Sequence, residues 1–280
     1  MKPKIGAHVS TAGGVYNAIE NAKKIGAESI QIYGASPRQW AAKMPKTDDI
    51  KKFKNAIKNS GVDSVFLHAA YLVNLASPDE VLRARSVQSL TSHLKIVEAI
   101  DAVGLIFHIG SSKDAPQNEG IQHIVNGAQE VLKKVPGKTR LILETSAGGG
   151  AKLGFTAKEV GEILKKIKST RTGVCFDTAH AFEAGAIKYD PKTIKTIFDD
   201  WDKQLGLSQI IVIHANDSKT EFGSHNDRHE NIGEGYIGLE GFKNLAKEKR
   251  LHDKPWILEV PGFDKSGPDK KNVDLLRSMF

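Results

Sequence analysis

Short runs of apolar residues alternate with amphipathic helical stretches along the whole chain. The runs are rich in Val, Ile and Phe, and each is followed by a segment with apolar residues at helical spacing. This alternation is typical of repeated βα units and a parallel sheet. The eight predicted strands are Lys4–Val9, Ser29–Tyr33, Ser64–Ala69, Leu105–Ile109, Arg140–Thr145, Gly173–Asp177, Ile210–His214 and Trp256–Val260.

Capping signals mark the starts of several helices. The stretch Ser77–Glu80 (SPDE) predicts an N-cap at its serine and a proline at the first helical position, in a helix that runs to about Ala102. The stretch Thr156–Glu159 (TAKE) has the pattern of a capping box. Asp190-Pro191 starts another predicted helix, which reaches about Leu205.

Eight βα units predict an α/β fold of the (β/α)8 or TIM-barrel type. Closure removes the sheet edges, and right-handed crossovers place all helices outside. An open doubly wound sheet is the alternative, but the first βα turn, AHVSTAGG, lacks the Gly-x-Gly-x-x-Gly spacing of a phosphate-binding loop. Because no linker or low-complexity tract interrupts the pattern, residues 1–280 are expected to form a single barrel domain.

Most of the predicted strands lead into a residue that can bind a metal ion. Buried polar groups without partners cost about 2–7 kcal/mol each, so this many imidazoles and carboxylates make little sense as packing. They favour a multinuclear metal site at the C-terminal ends of the strands, where barrel active sites form. The residues in question are His8, His68, His108, Glu144, Asp177, His180, His214 and Glu259, and Asp227 and His229 follow the seventh strand.

A carboxylate at Glu144 could bridge two metal ions. Divalent ions about 3.5–4 Å apart can activate a shared water and stabilise both the attacking and the leaving oxygen of a phosphoryl displacement, so hydrolysis of a phosphodiester fits this layout. The candidate ligand sets are His68 and His108 with Glu144, then Glu144 with Asp177, His214 and Glu259, and for a third ion His180, Asp227 and His229.

The ligand types also bear on the metal. Imidazole-rich sites with carboxylates favour Zn²⁺, or Mn²⁺, Fe²⁺ and Co²⁺, over Mg²⁺, and zinc is the leading prediction. Any one histidine alone is more often a hydrogen-bonded core or surface residue. His8 could line the site without binding metal, and His93, His123, His225 and His252 lie away from the strand ends and are expected to be structural.

Composition and charge also bear on the binding partner and on the cellular location. The net charge of +7 and the pI near 9.2 favour a polyanionic partner, although lysines on helical faces such as Asp48–Lys58 could merely solvate the surface. The chain shows neither a signal segment nor a membrane-spanning run, so a cytoplasmic protein without membrane contact is expected. One cysteine, Cys175, excludes an internal disulfide and is expected to be a buried thiol.

Two loops at the predicted barrel mouth carry residues suited to contact a ligand. Arg38 and Gln39 follow the second strand, and Tyr71 and Leu72 follow the third. An arginine and an aromatic residue at the rim of a phosphodiesterase site could wedge into a base stack. The alternative is that Trp40 and Leu72 simply cover the barrel mouth.

At these residues the chain resembles the endonuclease IV family, the zinc-dependent apurinic/apyrimidinic (AP) endonucleases of base-excision repair. The similarity runs from IGAHVSTAGG to WILEVPG, and HAAYLVNLA, GVCFDTAH and IHANDSKTEFGSHNDRHENIGEG each reproduce several family positions in register. One departure is Ala179, where the family commonly has cysteine. Since this position is not a ligand, we expect changed packing rather than lost activity.

The resemblance implies a function as well as a fold. It implies three zinc ions per chain, with manganese or another divalent ion as a partial substitute, held by the three ligand sets given above. It implies a phosphoric diester hydrolase of the deoxyribonuclease IV type, which cleaves 5′ to abasic sites and leaves a 3′-hydroxyl and a 5′-deoxyribose phosphate. It also implies repair of blocked 3′ ends.

Roles and partners follow from the same resemblance. Glu144 and Glu259 are the predicted catalytic residues. The substrate would be double-stranded DNA with abasic sites or blocked 3′ ends, and a monomer would suffice. The predicted DNA contacts are Arg38, Gln39, Tyr71, Leu72 and Arg228.

Two other functions remain open from the sequence. A sugar isomerase of the xylose isomerase-like barrels would also place Glu, Asp and His at strand ends, but it needs only one or two metals and leaves His180, Asp227 and His229 without a task. A non-catalytic, metal-stabilised DNA-binding module would need closed coordination shells, whereas mixed sites that share bridging ligands leave room for water and substrate.

Overall fold

The computed structural model describes residues 2–36 and 38–280, and in it eight parallel strands close into a barrel. The first and last strands of the barrel pair with each other, so no sheet edge is left open. Each end of each barrel strand lies within two residues of its predicted position. The barrel strands are β1 (Ile5–His8), β2 (Ser29–Tyr33), β3 (Ser64–His68), β4 (Gly104–His108), β5 (Arg140–Glu144), β6 (Thr172–Asp177), β7 (Ile210–His214) and β10 (Trp256–Leu258).

Helices follow the strands and cover the outside of the barrel. Their apolar faces pack on the sheet in one large core cluster. The predicted (β/α)8 fold is therefore confirmed, and the doubly wound alternative is wrong. The helices are α1 (Asn17–Ile25), α2 (Thr47–Lys58), α3 (Glu80–Ala99), α4 (Gln117–Lys134), α5 (Ala157–Ile167), α6 (Thr178–Glu183), α7 (Pro191–Leu205), α8 (Gly238–Leu245) and α9 (Lys270–Arg277).

Two details of the predicted helix ends are wrong. The N-cap of α3 is Asp79 rather than Ser77, because the Asp79 carboxylate accepts hydrogen bonds from the backbone N–H groups of Val81 and Leu82 at 2.8 and 3.2 Å. Ser77 instead accepts from the N–H of Asp79, before the helix begins. The helix also ends at Ala99, three residues before the predicted end.

A short second sheet follows the seventh barrel strand and was not predicted. Strand β8 (Asp217–Ser218) pairs antiparallel with β9 (His229–Glu230). Two-residue strands carry too few side chains for a period to be read from the sequence. No helix in the described parts of the chain is long and apolar enough to cross a membrane.

The inside of the barrel holds a separate apolar layer. It is formed by one inward-facing residue from each of six strands, and each lies two positions before a polar residue at the end of the same strand or just beyond it. Side chains two apart on a strand share a face, so this apolar layer lies directly beneath the polar side chains. Its members are Phe66, Ile106, Ile142, Cys175, Val212 and Ile257.

Cys175 in this layer is fully buried, as predicted. Burial disfavours its thiolate and raises the pKa of the thiol to about 12. At physiological pH the side chain is therefore a neutral, apolar member of this layer.

At the opposite end of the barrel, Glu98 offers a test of pH-dependent stability. Its carboxylate accepts hydrogen bonds from the N–H and hydroxyl of Thr139 at 2.8 and 2.6 Å, and Arg171 lies 3.5 Å away. Partial burial opposes ionisation of Glu98, but the Thr139 hydrogen bonds outweigh it and hold the pKa below its ordinary value. This stabilisation is present above the ordinary carboxyl pKa and is lost as the pH falls through the lowered one.

We expect Glu98→Gln to lower the free energy of unfolding by about 1–2 kcal/mol at pH 7. The difference from the wild type should shrink as the pH is lowered further below the ordinary glutamate pKa, because the native carboxyl then becomes protonated as well. Urea unfolding at several pH values measures this, with Glu130→Gln on the exposed face of α4 as the control. A difference that stayed constant over this acidic range would contradict the assignment.

Candidate metal centre

The nine predicted ligand residues all lie together at the mouth of the barrel. Parallel pairing in register brings strand ends side by side, for example His108 next to Glu144 and Asp177 next to His214. Their ligand atoms form groups in which all members lie within 4.8 Å of one another and could hold a metal ion. These groups are His68, His108 and Glu144; Glu144, Asp177, His214 and Glu259; and Asp177, His180 and His229.

Asp227 adjoins the third group, as the sequence predicted. One of its oxygens lies 3.2 Å from Nε2 of His180 and the other 3.6 Å from Nε2 of His229. The structure adds Asp177 to this group, so Asp177 is shared between the second and third groups. Burial opposes the charged form of Asp227, but the neighbouring histidines, His180 above all, outweigh it and hold the pKa well below its ordinary value.

Glu144 stands at the centre of the cluster. Its Oε2 lies 2.9 Å from Nε2 of His68 and 3.3 Å from Nε2 of His108, while Oε1 lies 2.9 Å from Nδ1 of His214. The carboxylate is fully buried, and burial opposes its charged form. The neighbouring histidines, His108 first and then His214, outweigh burial and hold the pKa of Glu144 well below the ordinary value. Glu144 can therefore serve two ions at once.

Backbone carbonyls fix which nitrogen two of the histidines present. Nδ1 of His68 donates to the carbonyl of Ala69 at 2.8 Å, and Nδ1 of His180 donates to that of Thr145 at 2.7 Å, so each ring presents Nε2 to the cluster. Nε2 of His180 and Nε2 of His229 are buried, and no contact among the described residues gives either nitrogen hydrogen-bond geometry, although the oxygens of Asp227 lie 3.2 and 3.6 Å away. Unpartnered imidazole nitrogens beside carboxylates fit a bound cation, which would satisfy both.

Gln31 is a site residue that the sequence prediction missed. It lies in β2, fully buried, and its amide oxygen accepts a hydrogen bond of 2.8 Å from Nε2 of His214. That contact leaves Nδ1 of His214 free to face the carboxylates. The amide nitrogen of Gln31 donates to Glu259 and lies 3.0 Å from Nδ1 of His8. The sequence signal was a glutamine between two isoleucines in a predicted strand.

We expect Gln31→Leu to weaken metal binding by about 10–100-fold, because His214 and Glu259 lose the group that orients them. Competition with a chelator of known affinity measures the change. Gln122→Leu, on the exposed face of α4, is the control. Unchanged metal affinity in a folded Gln31 variant would show that the amide has no orienting role.

The cluster lies at the bottom of an open cleft of about 710 Å³. Tyr71, Leu72 and Arg228, three of the predicted DNA contacts, line this cleft. The other two, Arg38 and Gln39, are exposed in the loop after β2 and do not belong to its lining. The structure thus brings three of the five contacts to the cluster and leaves two on the surface.

Tyr71 joins the rim of the cleft to the cluster. Its side chain is 60% exposed, yet its ring centroid lies 6.0 Å from that of His68 and 5.9 Å from that of His108, and its hydroxyl contacts that of Tyr33. Partial burial, with the charge of Glu259, raises the pKa of Tyr71 to about 12. The side chain is therefore a neutral phenol at physiological pH, suited to stack on an apolar or aromatic face.

Comparison with known proteins identifies the family. A family model described as xylose isomerase-like TIM barrel, AP endonuclease 2, matches residues 19–279. A protein of Halothermothrix orenii named probable endonuclease 4 is 39% identical over 98% of this chain and 99% of its own length. The chain belongs to the endonuclease 4 family. A second relative of that name, from Aquifex aeolicus, is 37% identical over 98% of this chain and 97% of its own length.

Solved structures agree with this membership in the endonuclease 4 family. Endonuclease IV from Thermus thermophilus superposes with a TM-score of 0.88 at 32% identity, over 99% of this chain and 98% of that one. A D-tagatose 3-epimerase-like protein superposes with a TM-score of 0.73 at 20% identity, over 99% of this chain and 96% of that one, which shows a shared fold alone. The resemblance indicated by the sequence motifs is confirmed.

The remaining predicted positions lie outside the three groups of this endonuclease 4 family member. His93, His225 and His252 each have a ring nitrogen within hydrogen-bonding distance of a backbone carbonyl. His123 lies on α4. Ala179 is fully buried in α6, next to the proposed ligand His180, and contributes no ligand atom.

Proposed function

We propose that this chain is a metal-dependent DNA repair endonuclease that hydrolyses the phosphodiester 5′ to abasic sites. The products would be a 3′-hydroxyl and a 5′-deoxyribose phosphate, and the same site would clear blocked 3′ ends as a phosphodiesterase or phosphatase. The observation that carries the proposal is the cluster of nine imidazoles and carboxylates at the bottom of an open cleft. Its relatives' name, endonuclease 4, supports a nucleic acid as the substrate.

The donor set of this cluster fits three zinc ions. Each group mixes neutral imidazoles with carboxylates, the ligands that zinc prefers, and manganese or another divalent ion could replace zinc in part. The metals would supply neutralisation of phosphate charge and a lowered pKa of a water molecule. The proposed ligands are His68, His108 and Glu144 for the first ion, Glu144, Asp177, His214 and Glu259 for the second, and His180, Asp227 and His229 for the third.

Two carboxylates are proposed as the catalytic residues. Glu144 is buried and holds its imidazole neighbours in a fixed arrangement, so that the cluster needs no reorganisation when substrate binds. Glu259 is partly open to the cleft, with a side chain 14% exposed and Oε2 3.1 Å from Nδ1 of His214. Its oxygens can orient the attacking water and accept its proton. The apolar layer below closes the site on the side of the barrel interior, so water reaches it only through the cleft.

The rim of the cleft would hold the lesion. Tyr71 and Leu72 project into the cleft from the loop after β3 and would fill the gap left by a missing base, while Arg228, Arg38 and Gln39 would contact the phosphates and neighbouring bases. The net charge of +7 favours binding to DNA. All proposed ligands come from one chain, so we propose that the protein acts as a monomer. We also propose that it forms a single barrel domain and acts in the cytoplasm.

We expect Tyr71→Ala to reduce discrimination between abasic and intact duplex by about 1–3 kcal/mol, the stacking contribution of one aromatic side chain. Fluorescence anisotropy with both duplexes measures the ratio of affinities. Tyr236→Ala is a matched control, because Tyr236 is 58% exposed but lies outside the cleft lining. An unchanged ratio for Tyr71→Ala would count against its role at the lesion.

The decisive test uses a labelled duplex with one tetrahydrofuran abasic analogue, with and without a strong chelator. This analogue cannot undergo β-elimination, so cleavage on its 5′ side that leaves a 3′-hydroxyl and stops on metal removal would support metal-dependent hydrolysis. Failure of folded, zinc-loaded protein to cleave would reject the proposed function. Keto-sugars, the substrates of the alternative isomerase function, would then be tested.

A further inference from the structure

The third ligand set depends on two parts of the chain that are far apart in sequence. His180 lies on the short helix α6, whereas Asp227 and His229 lie at the end of the segment 219–229, which we call the ligand segment. This segment runs from the residue after β8 to the first residue of β9 and contains no other regular structure. Something must hold its far end against α6, since a displacement of Asp227 by about 1 Å would already disturb a metal site.

Glu183 makes that connection. It is the last residue of α6 and fully buried. Its Oε1 accepts hydrogen bonds from the hydroxyls of Ser218 and Thr220 at 2.8 and 3.3 Å and from the backbone N–H of Arg228 at 3.2 Å. The first two contacts lie at the end of β8 and at the start of the ligand segment. The third lies between the two proposed ligands Asp227 and His229.

The backbone of Glu183 adds a fourth contact, since its carbonyl accepts from the N–H of His225 at 2.9 Å. A separate apolar contact, in which the rings of Phe182 and Phe222 lie 5.4 Å apart edge to face, already fastens the middle of the ligand segment to α6. Packing alone therefore covers the helix end, and the carboxylate of Glu183 is not needed for that purpose. What the carboxylate adds is a fixed backbone position at Arg228.

A second observation indicates that the Glu183 carboxylate serves to position other groups rather than to stabilise the fold. Its other oxygen, Oε2, is buried and has no hydrogen-bond partner among the described residues. A buried carboxylate that leaves one oxygen unpartnered is costly, and such groups in folded proteins call for a functional explanation.

We propose that Glu183 is a positioning residue for the third metal ion: by holding the N–H of Arg228, its carboxylate aligns Asp227 and His229 with His180. The inference rests on the proposed function in requiring metal at these three residues. Glu183 itself is not a ligand and does not touch the substrate.

The test compares Glu183→Ala, Glu183→Gln and the control Glu221→Gln, an exposed carboxylate in the same ligand segment. Each protein is loaded with zinc and then titrated with a chelator, and the bound zinc is counted by elemental analysis. We expect Glu183→Ala to bind one of its ions about 10–100-fold more weakly and the others as before. Glu183→Gln keeps an acceptor oxygen and should be intermediate, and Glu221→Gln should match the wild type.

Hydrogen exchange at the amides of Arg228 and His229 gives a second readout that does not depend on catalysis. We expect exchange in Glu183→Ala to be faster by about tenfold or more, in both zinc-loaded and metal-free protein, and unchanged in Glu221→Gln. If Glu183→Ala is too unstable to purify, Ser218→Ala removes one partner of the carboxylate and should show the same changes more weakly.

The outcomes separate this inference from the proposed function. A Glu183→Ala protein that binds every ion as tightly as the wild type, or exchanges its Arg228 amide at the wild-type rate, would overturn the positioning role alone. A wild-type protein that binds no zinc would overturn the proposed function and this inference with it. Wild-type zinc binding without incision of abasic DNA would overturn only the proposed reaction.

Discussion

Glu144→Gln is expected to lower incision of abasic DNA by about 10³-fold or more. Both carboxylate oxygens lie within 3.6 Å of imidazole nitrogens from four different elements, namely those of His68, His108, His180 and His214. An amide carries no charge, and it presents an N–H donor where an acceptor is needed. The variant should therefore lose a carboxylate that two of the proposed metal groups share, together with its negative charge.

The measurement is single-turnover incision of the tetrahydrofuran duplex, accompanied by zinc content and a thermal unfolding curve. Affinity for the same duplex should stay close to that of the wild type, because the rim residues are untouched. Glu28→Gln, at the opposite end of the barrel beside Lys4, is the control and should leave incision unchanged. Wild-type turnover by a folded Glu144→Gln protein would remove the catalytic assignment of this residue.

Much of this arrangement could be predicted from the sequence because two simple periodicities act together. A strand period of two places the residues at the ends of neighbouring strands on one face, above apolar residues two positions earlier, such as Ile142 below Glu144. Parallel pairing then aligns the ends of adjacent strands, so His108 meets Glu144 without any knowledge of long-range contacts. The strands and the proposed ligand layer follow from local pattern alone.

Gln31 and Glu183 escaped prediction for the opposite reason. Gln31 meets two of the proposed ligands, His214 on β7 and Glu259 just after β10, and these lie 183 and 228 positions away along the chain. Glu183 looks like an ordinary charged residue at a helix end, and its partners belong to a segment with no regular pattern. Sequence periodicity reports which face a side chain occupies, but it does not report which partner from another element meets it there.

The N-cap of α3, which was predicted at Ser77 and lies at Asp79, shows a smaller limit of prediction from sequence. Ser77 and Asp79 are both good capping residues, and both accept a hydrogen bond from a backbone N–H two positions ahead. The proline between them fits the first helical position, but it also fits the turn before the helix. In the structure Asp79 has extended backbone and caps the helix, so residue type alone does not distinguish the two candidates.

Glu259→Gln is expected to lower incision by about 10³-fold as well, but with a different effect on metal binding. Glu259 contacts only the second group, through His214 at 3.1 Å, and its oxygens are open to the cleft. Loss of the Glu259 carboxylate should weaken binding of the ion at the second group and leave binding at the first and third groups intact. Loss of the Glu144 carboxylate should weaken binding at two groups.

Zinc titration of the two variants, side by side with single-turnover incision, separates these roles. The control is Glu240→Gln, an exposed carboxylate on α8. If Glu259→Gln retains its zinc and its affinity for the abasic duplex but no longer incises, Glu259 acts on the reacting water rather than as an essential ligand. If it loses as much zinc as Glu144→Gln, its effect on incision comes through the metal. Incision at the wild-type rate would leave Glu144 as the single catalytic carboxylate of the cluster.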